Sequence, residues 1–160
     1  MRLIIQRVSR SAVTVYEEGF EYQNDHITHR QETGKGLLIL VGVEETDLSE
    51  DIDWLVGKAS QLRIFDDENG IMNLSLKDVD GECLAISQFT LFASTKKGNR
   101  PSWFRAAKGD ISEPLYEEFC TKMSAAIGKE VKRGIFGADM KVELINDGPV
   151  TIFIDSHNKE

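Results

Sequence analysis

Cys83-Leu-Ala-Ile-Ser-Gln-Phe-Thr-Leu-Phe92 is the stretch on which the reading of this chain turns. Its first four residues, Cys83, Leu84, Ala85 and Ile86, form an unbroken apolar run, the pattern of a strand covered on both faces. Ser87, Gln88 and Thr90 then set three neutral hydrogen-bonding side chains among Phe89, Leu91 and Phe92. Buried polar groups of this kind need partners from backbone, water or a ligand. Two readings stay open on these residues alone: hydroxyls capping a strand end and its loop, or the wall of a binding site.

On the N-terminal side, Arg2 to Ser9 and Ala12 to Tyr16 are rich in Ile and Val and read as two strands. Residues 17–34 are polar and read as an enlarged hairpin or surface loop. Leu37 to Val43 is a buried strand. Asp47 is placed to cap a helix whose apolar positions are Ile52, Leu55, Val56, Ala59 and Leu62. On the C-terminal side, a second helix is expected from a cap at Ser112, through Pro114 in its first turn, to Gly128. Val131 to Phe136, Met140 to Asn146 and Val150 to Ile154 read as three further strands, with Asp147-Gly148-Pro149 joining the last two. The expected fold is α+β: one domain over 1–155, a mostly antiparallel, barrel-like β core, two main helices, and a loose tail at 156–160.

Composition narrows the class. The chain has 160 residues, 41% of them apolar, enough for one domain with a real core. It has no apolar run long enough to span a membrane, and no secretory segment precedes Gln6 and Arg7, so a cytoplasmic protein is expected. Cys83 and Cys120 lie in apolar contexts and read as buried thiols. A net charge of −8 argues against a general nucleic-acid coat. Yet Lys96 to Lys108 holds five bases and no acid, and Lys129, Lys132 and Arg133 form a second basic cluster. Such patches suit either ordinary solvated surface or a grip on a few phosphates.

The usual catalytic sets are missing. His26 and His29 lie in a polar segment and His157 in the tail, so neither a Ser-His-Asp nor a Cys-His arrangement is in view. No phosphate-binding loop, nucleophile elbow or zinc spacing appears, and no metal or cofactor is expected. An enzyme built from these residues would polarise a labile bond with backbone and hydroxyl groups.

Four stretches together resemble the D-aminoacyl-tRNA deacylase (D-tyrosyl-tRNA deacylase) family: Gln6-Arg7-Val8, Ser87-Gln88-Phe89-Thr90-Leu91, Arg100-Pro101-Ser102 and Asn146-Asp147-Gly148-Pro149-Val150-Thr151. Gly137-Ala138-Asp139-Met140, after Phe136, also fits that pattern, and the likeness runs from Met1 to about Ile154. Three features depart from it: the longer segment between Tyr16 and Gly34, Trp103 in place of a common Phe, and Ser112 in place of a small alanine.

The resemblance implies a hydrolase that cleaves D-aminoacyl-tRNA, and glycyl-tRNA as well, as chiral proofreading in translation. It implies a homodimer in which Ser87, Gln88, Phe89 and Thr90 line one subunit's catalytic pocket, while Gly148-Pro149, with a cis peptide bond, enters the partner's and excludes L side chains. Phe136 resembles the residue that meets the terminal adenine, and Arg7 one that holds the Gly-Pro loop. Lys96, Lys97 and Arg100 are expected to contact tRNA phosphates. Two alternatives stand beside this: a related deacylase that removes a small L-amino acid from tRNA, and a non-catalytic RNA-binding module. The second lacks an aromatic-basic platform of the RNP type.

Overall fold

The computed structural model describes all residues, 1–160. Its spine is β1 (Arg2–Tyr16), a single 15-residue strand where two were expected. Ser9 and Arg10, the polar residues that suggest a break, are exposed in the middle of a strand that continues through them. One edge of β1 pairs with β2 (Ile27–Thr33) and then with β3 (Gly36–Gly42), both antiparallel. The segment expected as an enlarged hairpin is thus the β1–β2 connection plus β2 itself.

After β3 the chain forms α1 (Ser49–Gln61), the small hairpin of β4 (Phe65–Asp66) and β5 (Met72–Leu74), and then β6 (Glu82–Ser87). α2 (Gly109–Ile127) follows, then β7 (Lys132–Arg133) and β8 (Met140–Asp155). β8 lies antiparallel along the other edge of β1. The principal sheet has six strands, and it is mixed. β3 pairs β6 in parallel, and β6 pairs β7 in parallel. The expectation of a mostly antiparallel sheet needs that correction. Between β3 and β6 the chain crosses over through α1, and a helical crossover returns a strand in the same direction. His29 Nε2 donates to the Arg133 carbonyl at 2.9 Å, so β7 comes back toward β2 and the sheet nearly closes.

The apolar run at β6 is covered on both faces, as its pattern implies. Cys83 and Ala85 join Leu3, Ile5, Leu37 and Ile39 under the two helices, with Ile52, Leu55, Phe119 and Met123. Leu84 and Ile86 face the other way, into a smaller cluster with Val8, Val13 and Leu38. Cys83 and Cys120 are both buried and free.

Other local expectations are corrected. Asp47 does not cap α1; the preceding residue of that helix is Leu48, whose amide donates to Asp51 Oδ2 at 2.9 Å. Asp47 is instead buried, accepting from the Glu44 amide at 2.7 Å and from the Met1 amino group. α2 begins at Gly109, so Ser112 lies inside it and donates back to the Lys108 carbonyl at 2.9 Å, and Pro114 stands beyond the first turn. Gly128 ends α2 as expected, in a left-handed conformation with φ of 72°. Of Val131 to Phe136, only Lys132–Arg133 is strand. Met140 to Ile154 is one strand with an excursion: Val8 pairs Asn146 and Gln6 pairs Thr151, so residues 147–150 all stand opposite Arg7.

Two glycines give opposite stability predictions. A Cβ at Gly36 would lie 1.8 Å from the Glu82 carbonyl oxygen, within the parallel β3–β6 ladder, whereas one at Gly57, inside α1, meets nothing. Gly36→Ala is expected to force the two strands apart and lower unfolding stability by at least ~1–3 kcal/mol. Gly57→Ala is expected to raise it by roughly 0.5–1 kcal/mol through helix propensity. Urea unfolding of both variants checks the contrast, and equal shifts would contradict it.

Candidate active site

β6 delivers Ser87 to the edge of the core beside Val41, its neighbour on β3. There the chain turns: the Gln88 amide donates to the Val41 carbonyl at 2.8 Å, and Phe89–Phe92 close into a single 3-10 turn. The first bond of that turn runs from the Leu91 amide to the Gln88 carbonyl, at 3.3 Å. The amides of Phe89 and Thr90 precede it and are left free by the turn itself.

Ser87, Gln88 and Phe89 form one wall of a cavity of about 200 Å³, whose lining also includes Ala107, Gly109, Ser112, Tyr116, Phe136 and Gly137. α2 contributes its first turn and Tyr116, and the Ala107 amide ties the approach to α2 onto β3 by donating to the Val43 carbonyl at 2.9 Å. Tyr116 is buried; its hydroxyl donates to the Ala85 carbonyl at 2.9 Å, and its ring lies 6.1 Å from that of Phe136. Burial, reinforced by nearby Cys120, pushes the Tyr116 hydroxyl well above its ordinary pKa, so it acts as a neutral donor. Burial also pushes the Cys120 thiol up to about 11 and Cys83 further. Neither cysteine is poised as a nucleophile.

A second hollow, also about 200 Å³, lies on the far side of the same wall. It shares Ser87, Gln88, Phe89 and Gly137 with the first and adds Ile86, Ala138, Asp139, Met140 and Val142. The strand end therefore separates two adjoining spaces, one floored by aromatic rings and one by β8.

Among the site residues expected from sequence, Ser87, Gln88, Phe89 and Phe136 are brought together here. Thr90 lines neither hollow; it is half-buried, and its hydroxyl accepts from the Gln88 side-chain amide. Gly148 and Pro149 also lie outside both hollows, exposed at the excursion of β8, and the bond between them is cis. Arg7 holds that excursion. Its guanidinium donates to the Asp147 carbonyl at 2.8 Å and the Ile64 carbonyl at 2.6 Å, and pairs with Asp66 at 3.2 Å. Asn146 accepts from the Val150 amide at 2.8 Å and closes the loop from within. Gly148 has φ of +134°, and an added Cβ would lie 2.9 Å from Arg7 Nη2, so only glycine fits.

The two basic clusters differ in a way their sequence did not show. Lys129 pairs with Asp80, Lys132 with Glu130 and Arg133 with Glu117. In the other cluster Arg105 is held by both oxygens of Glu44, at 3.1 and 3.0 Å, while Lys96, Lys97 and Arg100 are exposed. Glu44, Asp47 and His157 bring ligand atoms within 4.8 Å of one another. Those carboxylates are already taken, by Arg105, by the Met1 amino group and by His157 itself.

A family model described as D-Tyr-tRNA(Tyr) deacylase matches residues 4–155. The chain belongs to this family. A D-aminoacyl-tRNA deacylase of Bacteroides fragilis (strain YCH46) is 61% identical over 160 residues, covering 100% of both chains. One from Chromobacterium violaceum is 59% identical over the same span. Membership at this identity makes the chain an enzyme of this deacylase type. These relatives match along their whole length, so the long segment after Tyr16 lies within a span they share. Among solved structures, one titled c-Myc DNA Unwinding Element Binding Protein superposes with a TM-score of 0.83 at 33% identity, covering 97% of this chain and 98% of that one. A probable eukaryotic D-amino acid tRNA deacylase superposes with a TM-score of 0.77 at 17% identity, over 96% and 97% of the two chains, a likeness of fold. The site residue that sequence pattern does not single out is Tyr116, because it belongs to the ordinary buried face of α2 with Phe119, Cys120 and Met123.

Arg7→Ala is expected to strip three partners at once and cost about 1.5–3 kcal/mol of stability. Amide exchange at Val150 should quicken while that of α2 is unchanged. Arg7→Lys should recover little, since one ammonium cannot span the Asp147 and Ile64 carbonyls as a guanidinium does. Unaltered exchange at 146–150 in Arg7→Ala would show that the excursion holds its own shape.

Proposed function

We propose that this chain hydrolyses the ester joining a D-amino acid, or glycine, to the terminal ribose of tRNA, releasing the amino acid and free tRNA. The observation that carries the reading is the wall of Ser87, Gln88 and Phe89 standing between two hollows, ending in a 3-10 turn that makes no bond of its own to the Phe89 and Thr90 amides. The terminal adenosine would occupy the aromatic side, against Phe136 and Tyr116, and the amino acid the side toward Met140. The ester carbonyl then crosses the wall. Water adds to the carbonyl carbon, the amides of Phe89 and Thr90 stabilise the oxyanion, and the bond to the ribose oxygen breaks as that oxygen takes up a proton. The neighbouring ribose 2′-OH can orient the water, which suits a site without a histidine.

In this reading the enzyme is a homodimer. Gly148 and Pro149 are exposed, fixed by Arg7 and absent from their own chain's hollows, so they suit a role in the partner's pocket. There their backbone would occupy the direction an L side chain needs. Glycine has no side chain to exclude and is accepted. Lys96, Lys97 and Arg100 would meet tRNA phosphates, and the place of action is the cytoplasm, where aminoacyl-tRNA is used. An L-specific editing enzyme would need a roomier approach at Gly148–Pro149.

Hydrolysis of D-aminoacyl-, L-aminoacyl- and glycyl-tRNA by the wild-type enzyme tests the reading: turnover of the first and third only is expected. Thr90→Ala should keep most of this turnover, because the hydroxyl has only the Gln88 amide beside it and no base to activate it. Abolished turnover with intact folding and tRNA binding would make Thr90 the nucleophile.

The dimer is tested separately by mixing. A Gly148→Ala subunit and a Phe136→Ala subunit, each inactive alone, should regain activity together through hybrid sites. No recovery after demonstrated subunit exchange would place both elements in the same chain's site.

A further inference from the structure

We propose that Phe104 stacks on an unpaired nucleobase of the tRNA tail just before the terminal adenosine, while Lys96, Lys97 and Arg100 neutralise the adjoining phosphates. The inference rests on the pocket reading above and extends the bound substrate beyond its last nucleotide.

Phe104 is 76% exposed, the most exposed of the large apolar side chains. Isolated exposed apolar residues are ordinary, but Phe104 is not isolated. Phe89 is 55% exposed and Trp103 is 39% exposed, and their rings meet edge to face with centroids 5.3 Å apart. Phe89 belongs to the shared wall of the two hollows, and Trp103 is the residue before Phe104. The free ring thus follows directly in the chain a residue whose ring packs on Phe89, and Phe89 lines the aromatic cavity.

The segment that carries Phe104 is anchored on both sides. Ser94 and Ser102 exchange backbone hydrogen bonds at 2.8 and 3.0 Å, and the Ala106 amide closes a turn onto the Trp103 carbonyl at 3.0 Å. A ring held out on fixed backbone loses little freedom on stacking. The tip beyond the Ser94–Ser102 neck carries Lys96, Lys97 and Arg100, exposed and without the acidic partners that neutralise the other basic cluster. A flat apolar face beside unpaired cations is complementary to single-stranded nucleic acid, which offers bases with π-faces and a run of phosphates.

The test is a cycle of enzyme and substrate changes. The substrates are a D-aminoacylated RNA minihelix with an intact tail, and the same minihelix with abasic residues at the two positions before the terminal adenosine. On the intact substrate, Phe104→Ala should lower kcat/KM on the order of tenfold, the scale of one lost base–aromatic stack. On the abasic substrate, already weakened for the wild type, it should cause no further loss. Phe104→Trp should restore the intact-substrate rate. Replacing Lys96, Lys97 and Arg100 by Ala should flatten the salt dependence on both substrates, by roughly 0.7 per lost phosphate contact. Equal losses on both substrates, or no loss on the intact one, overturn the proposal. So does a change in sedimenting mass for Phe104→Ala, which would assign the ring to a contact between copies. Phe136→Ala separates the two levels. If it leaves turnover untouched, the pocket reading fails and takes this inference with it; if it impairs turnover while Phe104→Ala is additive, only the inference fails.

Discussion

A 15-residue extended strand has hydrogen-bonding groups along two edges, and where it is buried none of them can be left to water. That requirement at β1 organises this molecule. One edge takes β2 and β3 in succession, and the other takes β8 along its whole course. β6 is then set in place by β3, the helices by the apolar face that β1, β3 and β6 share, and the wall of the candidate site by the end of β6. The wall of the candidate site lies where the β3–β6 ladder runs out, at Ser87, and the chain turns away into Phe89–Phe92.

The same strand governs the Gly148–Pro149 excursion. β8 pairs β1 at Gln6 and again at Val8, on either side of Arg7, yet it carries four residues opposite that one position. The surplus is pushed outward, and Arg7, buried in the strand that causes the mismatch, supplies the donors that hold it. A long arginine is suited to this: its fork reaches the Ile64 and Asp147 carbonyls together while its stem stays in apolar surroundings. The excursion is therefore exposed without being loose.

Charge is partitioned by pairing more than by count. The chain is acidic, and the cations of the second basic cluster, like Arg105, are matched to carboxylates nearby. Lys96, Lys97 and Arg100 differ from that cluster in being exposed and without such partners, on the segment that leads to the most exposed aromatic ring in the molecule. Isolated surface ion pairs add little stability. Their effect here is to leave the tip beyond the Ser94–Ser102 neck as a local excess of positive charge on an acidic chain.

What the sequence by itself determined was the set of segments with strong local pattern. The apolar run Cys83–Ile86, the stripe from Ile52 to Ala59 and the glycine that ends α2 at Gly128 all read correctly, because periodicity and a left-handed stop are properties of neighbouring residues. Ser87 and Gln88 were visible as polar residues closing an apolar run, whereas Phe136 was singled out only through the family resemblance. Tertiary structure alone decided the rest. Ser9 and Arg10 looked like an end to β1, yet β8, pairing Val8 and Arg10 across them, carries the strand on from the β3 half to the β2 half. Asp47 looked like a helix cap and became a buried partner of the Met1 amino group. The parallel entry of β6, the pairing that silences Lys129, Lys132 and Arg133, and the exposure of Phe104 each depend on what arrives from far along the chain. Local sequence sets what a segment can do; which of its hydrogen bonds, charges and rings remain unspent is set only when distant segments meet.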